Sequence, residues 1–149
     1  MKRNNVRRLL ALVLVAALCL LCGAAAQPNA TEIHIYSADD LVQLSKSCKL
    51  DTWSEGVTVE LEADVSLEGV AFSPIASFGG TFHGNGHTIS GLSLSEGLSL
   101  AGLFQRVQKD ARIEDLNVSG TVKASSTCEA AGGLAGRNAG TIENCSFSG

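Results

Sequence analysis

Three acidic residues could supply the carboxylates that glycoside cleavage requires. They are Glu114 and Asp115, which are adjacent in the chain, and Glu143 in a similar later segment. Glycosidases place two carboxyl groups on opposite sides of the scissile bond, and a lyase also needs a base, for which Arg112 is nearest. If the two segments stack as adjacent coils, Glu114 and Glu143 point outward together, and Asp115 lies beside Asn144. We therefore predict a solvated outer ladder and no catalytic residue.

The histidines and the single tryptophan are weaker candidates for functional residues. His83 and His87 are four residues apart, but such a pair shares one face only on a helix, and the intervening Gly-Asn-Gly indicates a turn. His34 lies in an alternating, strand-like segment. We predict hydrogen bonding at the turn, with no metal site and no cofactor. Trp53 could stack on a sugar, although packing over a neighbouring element is the commoner role.

The N-terminal residues have the order of segments that is typical of a secretory signal peptide. Basic residues precede an apolar run from Leu9 to Leu21, and small residues follow at 23–26. The run is shorter than the roughly 20 residues that a spanning helix needs. We predict cleavage between Ala26 and Gln27 and no membrane insertion afterwards. A lipid anchor on Cys22 is the alternative, but Leu21 stands where a lipobox has a small residue.

Removal of residues 1–26 leaves an acidic protein. Lys+Arg falls from 11 to 7 with the loss of four basic residues, Asp+Glu stays at 15, and the net charge becomes 7 minus 15, or −8. A surface of this sign repels phosphate backbones and anionic lipid headgroups, so we expect no nucleic-acid partner and no membrane-surface partner.

Three cysteines follow the predicted signal peptide, namely Cys48, Cys128 and Cys145. Three thiols allow at most one intrachain disulfide, and we expect each of them to serve as a small, buried apolar residue.

Internal similarity indicates a repeat protein. Three segments, 87–94, 111–120 and 140–149, share a spacing of apolar residues. The first two predicted columns of core residues are Ile89, Ile113 and Ile142, and Leu92, Leu116 and Cys145. The third column is Leu94, Val118 and Phe147, and Leu134 is assigned to another wall of the same coil. The spacings, 24 (113 minus 89) and 29 (142 minus 113), suit one coil of a β-solenoid.

A single amphipathic helix precedes the coils. Ser37 and Asp40 have the N-cap and N3 positions of a capping box, and the apolar Leu41, Leu44 and Cys48 lie on one helical face. Because the end of a solenoid needs a polar cover, we expect this helix to close the first coil. The predicted organisation is a signal peptide at 1–26, a strand and capping helix at 27–56, and coils at 57–149.

Two stretches carry a family resemblance. Residues 80–89, GTFHGNGHTI, resemble a glycine-rich signature of secreted bacterial β-helix proteins, and residues 132–145, GGLAGRNAGTIENC, resemble the GLUG motif. The resemblance implies an all-β, right-handed parallel β-helix that ends in a GLUG repeat, from a large surface or exported bacterial protein. His83 replaces the usual acidic residue of the first signature, which weakens any metal or catalytic role at that corner.

The expected function is a non-catalytic scaffold or adhesion module that is secreted or displayed at the cell surface. The resemblance implies an extracellular glycan or a host or cell-surface protein as partner. We also expect the chain to continue beyond 149, because the last repeat lacks a cap. A polysaccharide lyase or glycosidase on the same fold is the alternative, since fold alone does not decide function.

Overall fold

A computed structural model describes residues 31–149 of the 149-residue chain. The predicted signal peptide and its cleavage between Ala26 and Gln27 lie outside the described residues. Within residues 31–149 no helix is long and apolar enough to cross a membrane.

The described chain contains one short helix and thirteen short strands. In order they are β1 (Glu32–Ile35), α1 (Ala38–Ser47), β2 (Thr58–Leu61), β3 (Val65–Ser66), β4 (Thr81–His83), β5 (Thr88–Leu94), β6 (Leu100–Ala101), β7 (Phe104–Val107), β8 (Arg112–Glu114), β9 (Asn117–Val122), β10 (Ala130–Ala131), β11 (Ala135–Asn138), β12 (Thr141–Glu143) and β13 (Ser146–Ser148). Short strands separated by turns are typical of a solenoid in which each coil bends several times.

All strand pairs are parallel and build a β-solenoid of about four turns, which confirms the predicted fold class. One wall, sheet A, has the order β1-β2-β4-β8-β12, and a second wall, sheet B, has the order β3-β5-β9-β13. The third wall contains the pair β7–β11, extended towards the N-terminal coils by isolated bridges from Ile75 to Phe104 and from Phe78 to Val107. Each rung therefore lies about 4.8 Å from the next.

The interior of the solenoid is apolar because side chains alternate between the two faces of each strand. Phe78, Phe82 and Phe104 are fully buried; Phe82 lies in sheet A, and Phe78 and Phe104 lie on the third wall. Their ring centroids lie 5.4 to 6.1 Å apart, within the range of aromatic pairing. This cluster joins sheet A to the third wall in the middle coils.

Helix α1 begins at the predicted capping box. The Ser37 hydroxyl accepts a hydrogen bond from the Asp40 amide, and the Asp40 carboxylate accepts one from the Ser37 amide at 3.0 Å. The Ser37 hydroxyl also donates to the Asp40 carboxylate at 2.8 Å, and this bond is the largest cause of the lowered pKa of Asp40. Leu41 and Leu44 are buried in the same hydrophobic core as Ile35 of β1. The helix thus packs its apolar face on the coil that contains β1.

The predicted alignment of the first repeat segment is wrong by one strand. Ile142 pairs with Ile113 as expected, but the neighbour of Ile113 in the preceding coil is Phe82, whereas Ile89 lies in sheet B beside Val118. The true coil spacing there is therefore 31 (113 minus 82).

The error has a local conformational cause. In the segments at 113 and 142, a residue with positive φ, Asp115 or Asn144, turns the chain from sheet A into sheet B. In the segment at 89, the positive φ belongs to Gly91, which lies within β5 at a β-bulge. A corner and a bulge produce the same spacing of apolar residues, so the sequence alone does not distinguish them.

Burial of the ten predicted core residues decreases along the stack. Six of them are buried, namely Ile89, Leu92, Leu94, Ile113, Leu116 and Val118. Leu134, Ile142 and Cys145 are partly buried and pack against the core. Phe147 differs from its predicted core position, with an exposed fraction of 37%. The reason is that β13 is an edge strand of sheet B, so its inner side chains are covered on one side alone.

Candidate functional site

The outer face of sheet A carries a continuous column of acidic and histidine side chains. Strand pairing places His34 beside Glu60, Glu60 beside His83, His83 beside Glu114, and Glu114 beside Glu143. We call these five residues the His/Glu ladder. The inward neighbours of each rung are apolar, so alternation along the strands directs the ladder to solvent. The predicted stacking of Glu114 on Glu143 is thereby confirmed.

Arg112 forms salt bridges with the only two adjacent carboxylates of the ladder. Its guanidinium donates hydrogen bonds to Glu114 at 2.5 Å and to Glu143 at 2.8 Å. The Arg112 hydrogen bond is the largest cause of a lowered pKa at Glu114. A general acid in glycoside hydrolysis needs a raised pKa. The pair is therefore arranged as an ion-paired surface element and is poorly suited to proton donation.

The histidines of the ladder also contact carboxylates. His34 Nδ1 lies 2.6 Å from Glu62, and this hydrogen bond is the largest cause of its raised pKa. His83 lies between two rungs, with Nε2 3.8 Å from Glu60 and Nδ1 3.4 Å from Glu114. His83 thus separates the carboxylates of Glu60 and Glu114 along the column, so these two like charges do not lie on adjacent rungs.

The predicted turn between His83 and His87 is a corner of the solenoid. Asn85 has φ of 53° there, and its amide donates to Glu60 at 2.9 Å. His87 Nδ1 lies 3.3 Å from Asp64, in agreement with the expected hydrogen bonding at this turn. Asp64 also accepts from the backbone amide of Thr88 at 2.8 Å, and this bond is the largest cause of its lowered pKa.

The arrangement of possible metal ligands and the state of the thiols can be described for residues 31–149. No group of three or more His, Cys, Asp or Glu side chains in this range is arranged to hold a metal ion. Cys48, Cys128 and Cys145 are all free thiols. Burial raises the pKa of Cys48 to about 11 and is also the largest cause of a raised pKa at Cys145. Protonated thiols are weak nucleophiles.

Sequence reasoning missed most of the outer surface. It identified Glu114 and Glu143, but it did not connect them with His34, Glu60 and His83, because the coil register was wrong in the middle coils. It also missed Arg106 and Arg137, which pair on the third wall. These two arginines are 31 residues apart, the same separation as Phe82 and Ile113 (113 minus 82), so a correct coil length would have revealed them.

The family model of the GLUG motif matches residues 127–149, so the chain carries a GLUG motif in its last described coil. Halomucin of Haloquadratum walsbyi (strain DSM 16790 / HBSQ001) is 34% identical to the chain over 137 residues. The match covers 81% of the chain, and the chain spans about 2% of the length of halomucin. No solved structure matches the chain. The motif and this relative point to an extracellular surface or adhesion-type protein and to no specific activity.

Proposed function

We propose that the chain is a non-catalytic binding module of a secreted or surface-displayed protein, and that it recognises its partner with the outer faces of the solenoid. The observation that carries this proposal is the His/Glu ladder. Its five rungs are polar, solvent-facing and held in strand register above a buried apolar core. Such a surface presents hydrogen-bonding groups at a fixed spacing of about 4.8 Å.

The buried core behind the ladder supports a role in recognition, because it fixes the positions of the outward side chains. Phe82 and Ile113 lie directly behind its middle rungs and are fully buried. Fixed side chains lose little conformational entropy on binding, and this preorganisation favours affinity. The carboxylates accept hydrogen bonds from hydroxyl or amide donors, so a glycan or a cell-surface protein suits this face. The net charge of −8 after signal removal disfavours nucleic acid and anionic membranes.

The alternative function is a polysaccharide lyase or glycosidase. Its best candidates are Glu114 and Glu143, but both carboxylates bind Arg112, and the pKa of Glu114 is lowered. Proton transfer to a leaving group is favoured when the donor pKa lies near the working pH. The ion-paired geometry therefore supports binding over turnover.

The first experiment is a glycan array with the chain from Gln27 onwards, run beside reducing-end and unsaturated-product assays. The ladder variant replaces Glu60, Glu114 and Glu143 together with glutamine. A control variant replaces three exposed acidic residues elsewhere, Glu55, Glu96 and Glu129, with glutamine and so changes the net charge equally. Circular dichroism verifies the fold of both variants.

Binding that the ladder variant loses and the control variant keeps, without product, is the expected result. Product formation that disappears in the ladder variant would establish the enzyme instead. Equal loss in the two variants would show that the overall charge, and not the ladder, determines binding.

A further inference from the structure

A second polar column lies on the third wall of the solenoid. Arg137 of β11 pairs in register with Arg106 of β7. The bridge from Phe78 to Val107, one residue further along, places Ser77 in the same column. Both arginines are exposed. Their side chains therefore emerge from adjacent rungs about 4.8 Å apart.

These arginines line a surface groove of about 460 Å³. Lys109, Gln108 and Asp51 are also part of its wall. The Gln108 amide donates to the backbone carbonyl of Asp51 and, at 2.8 Å, to the Ser77 hydroxyl. Gln108 thereby attaches the loop after α1 to the third wall and holds Asp51 at the rim. The Gln108 hydrogen bonds thus hold the Asp51 side of the groove against Ser77 of the third wall.

The charge of the groove is opposite to that of the protein. After signal removal the chain has 7 basic and 15 acidic residues, and three of the seven basic residues, Arg106, Lys109 and Arg137, line this groove. Asp51 is its sole acidic lining residue, so the local charge is +3 minus 1, or +2. The salt bridges found within residues 31–149 involve Arg112 and the histidines, and none involves the groove residues.

Two adjacent guanidinium groups without a counter-ion repel each other. An oxyanion placed between them removes this repulsion and can accept paired hydrogen bonds from the planar forks, which match carboxylate and sulfate geometry. The groove therefore has the features of an anion site.

We propose that this groove binds an anionic polysaccharide through a carboxylate or sulfate group carried on a sugar unit. The +2 charge and the paired arginines favour the oxyanion, while the Asp51 carboxylate favours a ligand that also offers hydroxyl donors. A duplex nucleic acid carries a charge every ~1.7 Å and would be repelled by the acidic remainder of the protein. A sugar chain with one charge per unit fits a small basic groove better.

The test is isothermal titration calorimetry of the chain from Gln27 onwards. The probes are polygalacturonate for the carboxylate, dextran sulfate for the sulfate, and neutral dextran, with duplex DNA and phosphatidylserine vesicles for other polyanions. The variants are Arg106→Gln and Arg137→Gln. The matched control is Lys123→Gln, which removes one exposed basic charge outside the groove.

We expect at least one anionic polysaccharide to bind, neutral dextran not to bind, and each arginine variant to bind about tenfold more weakly. Lys123→Gln should keep the affinity. The proposal is overturned if no anionic polysaccharide binds, if all three variants lose affinity equally, or if DNA or vesicles bind as tightly as the polysaccharides. These outcomes leave the ladder experiment unaffected, because its variants do not alter the groove.

Discussion

The aromatic cluster at the centre of the solenoid gives the sharpest test of the fold. Phe104 is fully buried, and its ring centroid lies 5.4 Å from that of Phe78 and 5.7 Å from that of Phe82. Replacement of a buried phenylalanine by alanine costs about 3–5 kcal/mol through lost burial and the cavity left behind. With these two aromatic contacts, Phe104→Ala should cost about 4 kcal/mol, the middle of this range.

Phe147→Ala is the matched control, because it removes the same side chain from the edge strand β13. Phe147 is 37% exposed, so less of its surface is buried and the neighbouring chain can relax around the gap. We expect this substitution to cost about 1 kcal/mol. The structure thus predicts a difference of about 3 kcal/mol between two identical substitutions.

Urea unfolding followed by circular dichroism measures this difference. With a slope of about 2 kcal/mol per molar urea, the midpoint should fall by about 2 M for Phe104→Ala and by about 0.5 M for Phe147→Ala. If the two substitutions shift the midpoint equally, or if Phe147→Ala shifts it more, the assignment of the core to the middle coils would be refuted.

Three further predictions concern a charge, a glycine and a thiol. The pKa of His34 is raised by its hydrogen bond to Glu62, so this contact stabilises the fold fully below about pH 6.5 and is lost as the pH rises through the higher folded-state pKa. His34→Gln should therefore lower the urea midpoint at about pH 5 and leave it nearly unchanged at about pH 9. Gly120→Ala would place a Cβ 2.0 Å from a backbone carbonyl of the neighbouring strand, whereas the Cβ of Gly97→Ala meets nothing within 4 Å. Both glycines have positive φ, so thermal unfolding should show a clearly larger fall in the melting temperature for Gly120→Ala. Cys48 should resist Ellman's reagent in the folded protein while Cys128 reacts, and similar rates for the two thiols would contradict the burial of Cys48.

The inward face of each strand, the helix and its cap could be predicted from the sequence alone, whereas the parallel solenoid was indicated by the repeats and the family resemblance. Alternating apolar residues such as Leu116 and Val118 determine which face of a strand is buried, and the Ser37–Asp40 spacing determines where the helix begins. These features depend on residues close together in the chain. Local patterns therefore predicted them correctly.

The register between coils was harder to predict because it depends on backbone conformation. Gly91 and Asp115 both have positive φ, but one produces a bulge within a strand and the other a corner between walls. The number of residues per coil then changes, from 31 between Phe82 and Ile113 to 29 between Ile113 and Ile142. A variable coil length prevents a fixed period from revealing which outward residues share a column.

The His/Glu ladder and the arginine column also differ in whether salt bridges offset the repulsion between like charges. On sheet A, His83 separates Glu60 from Glu114, and Arg112 forms salt bridges with the adjacent carboxylates of Glu114 and Glu143. On the third wall Arg106 and Arg137 are adjacent, and none of the salt bridges in the described chain involves either of them. Directly opposed like charges destabilise a sheet. In the described chain the adjacent carboxylates of one column are ion-paired with Arg112, while the adjacent arginines of the other column have no salt bridge. Folding stability therefore does not account for the arginine pair, whereas the proposed bound anion does.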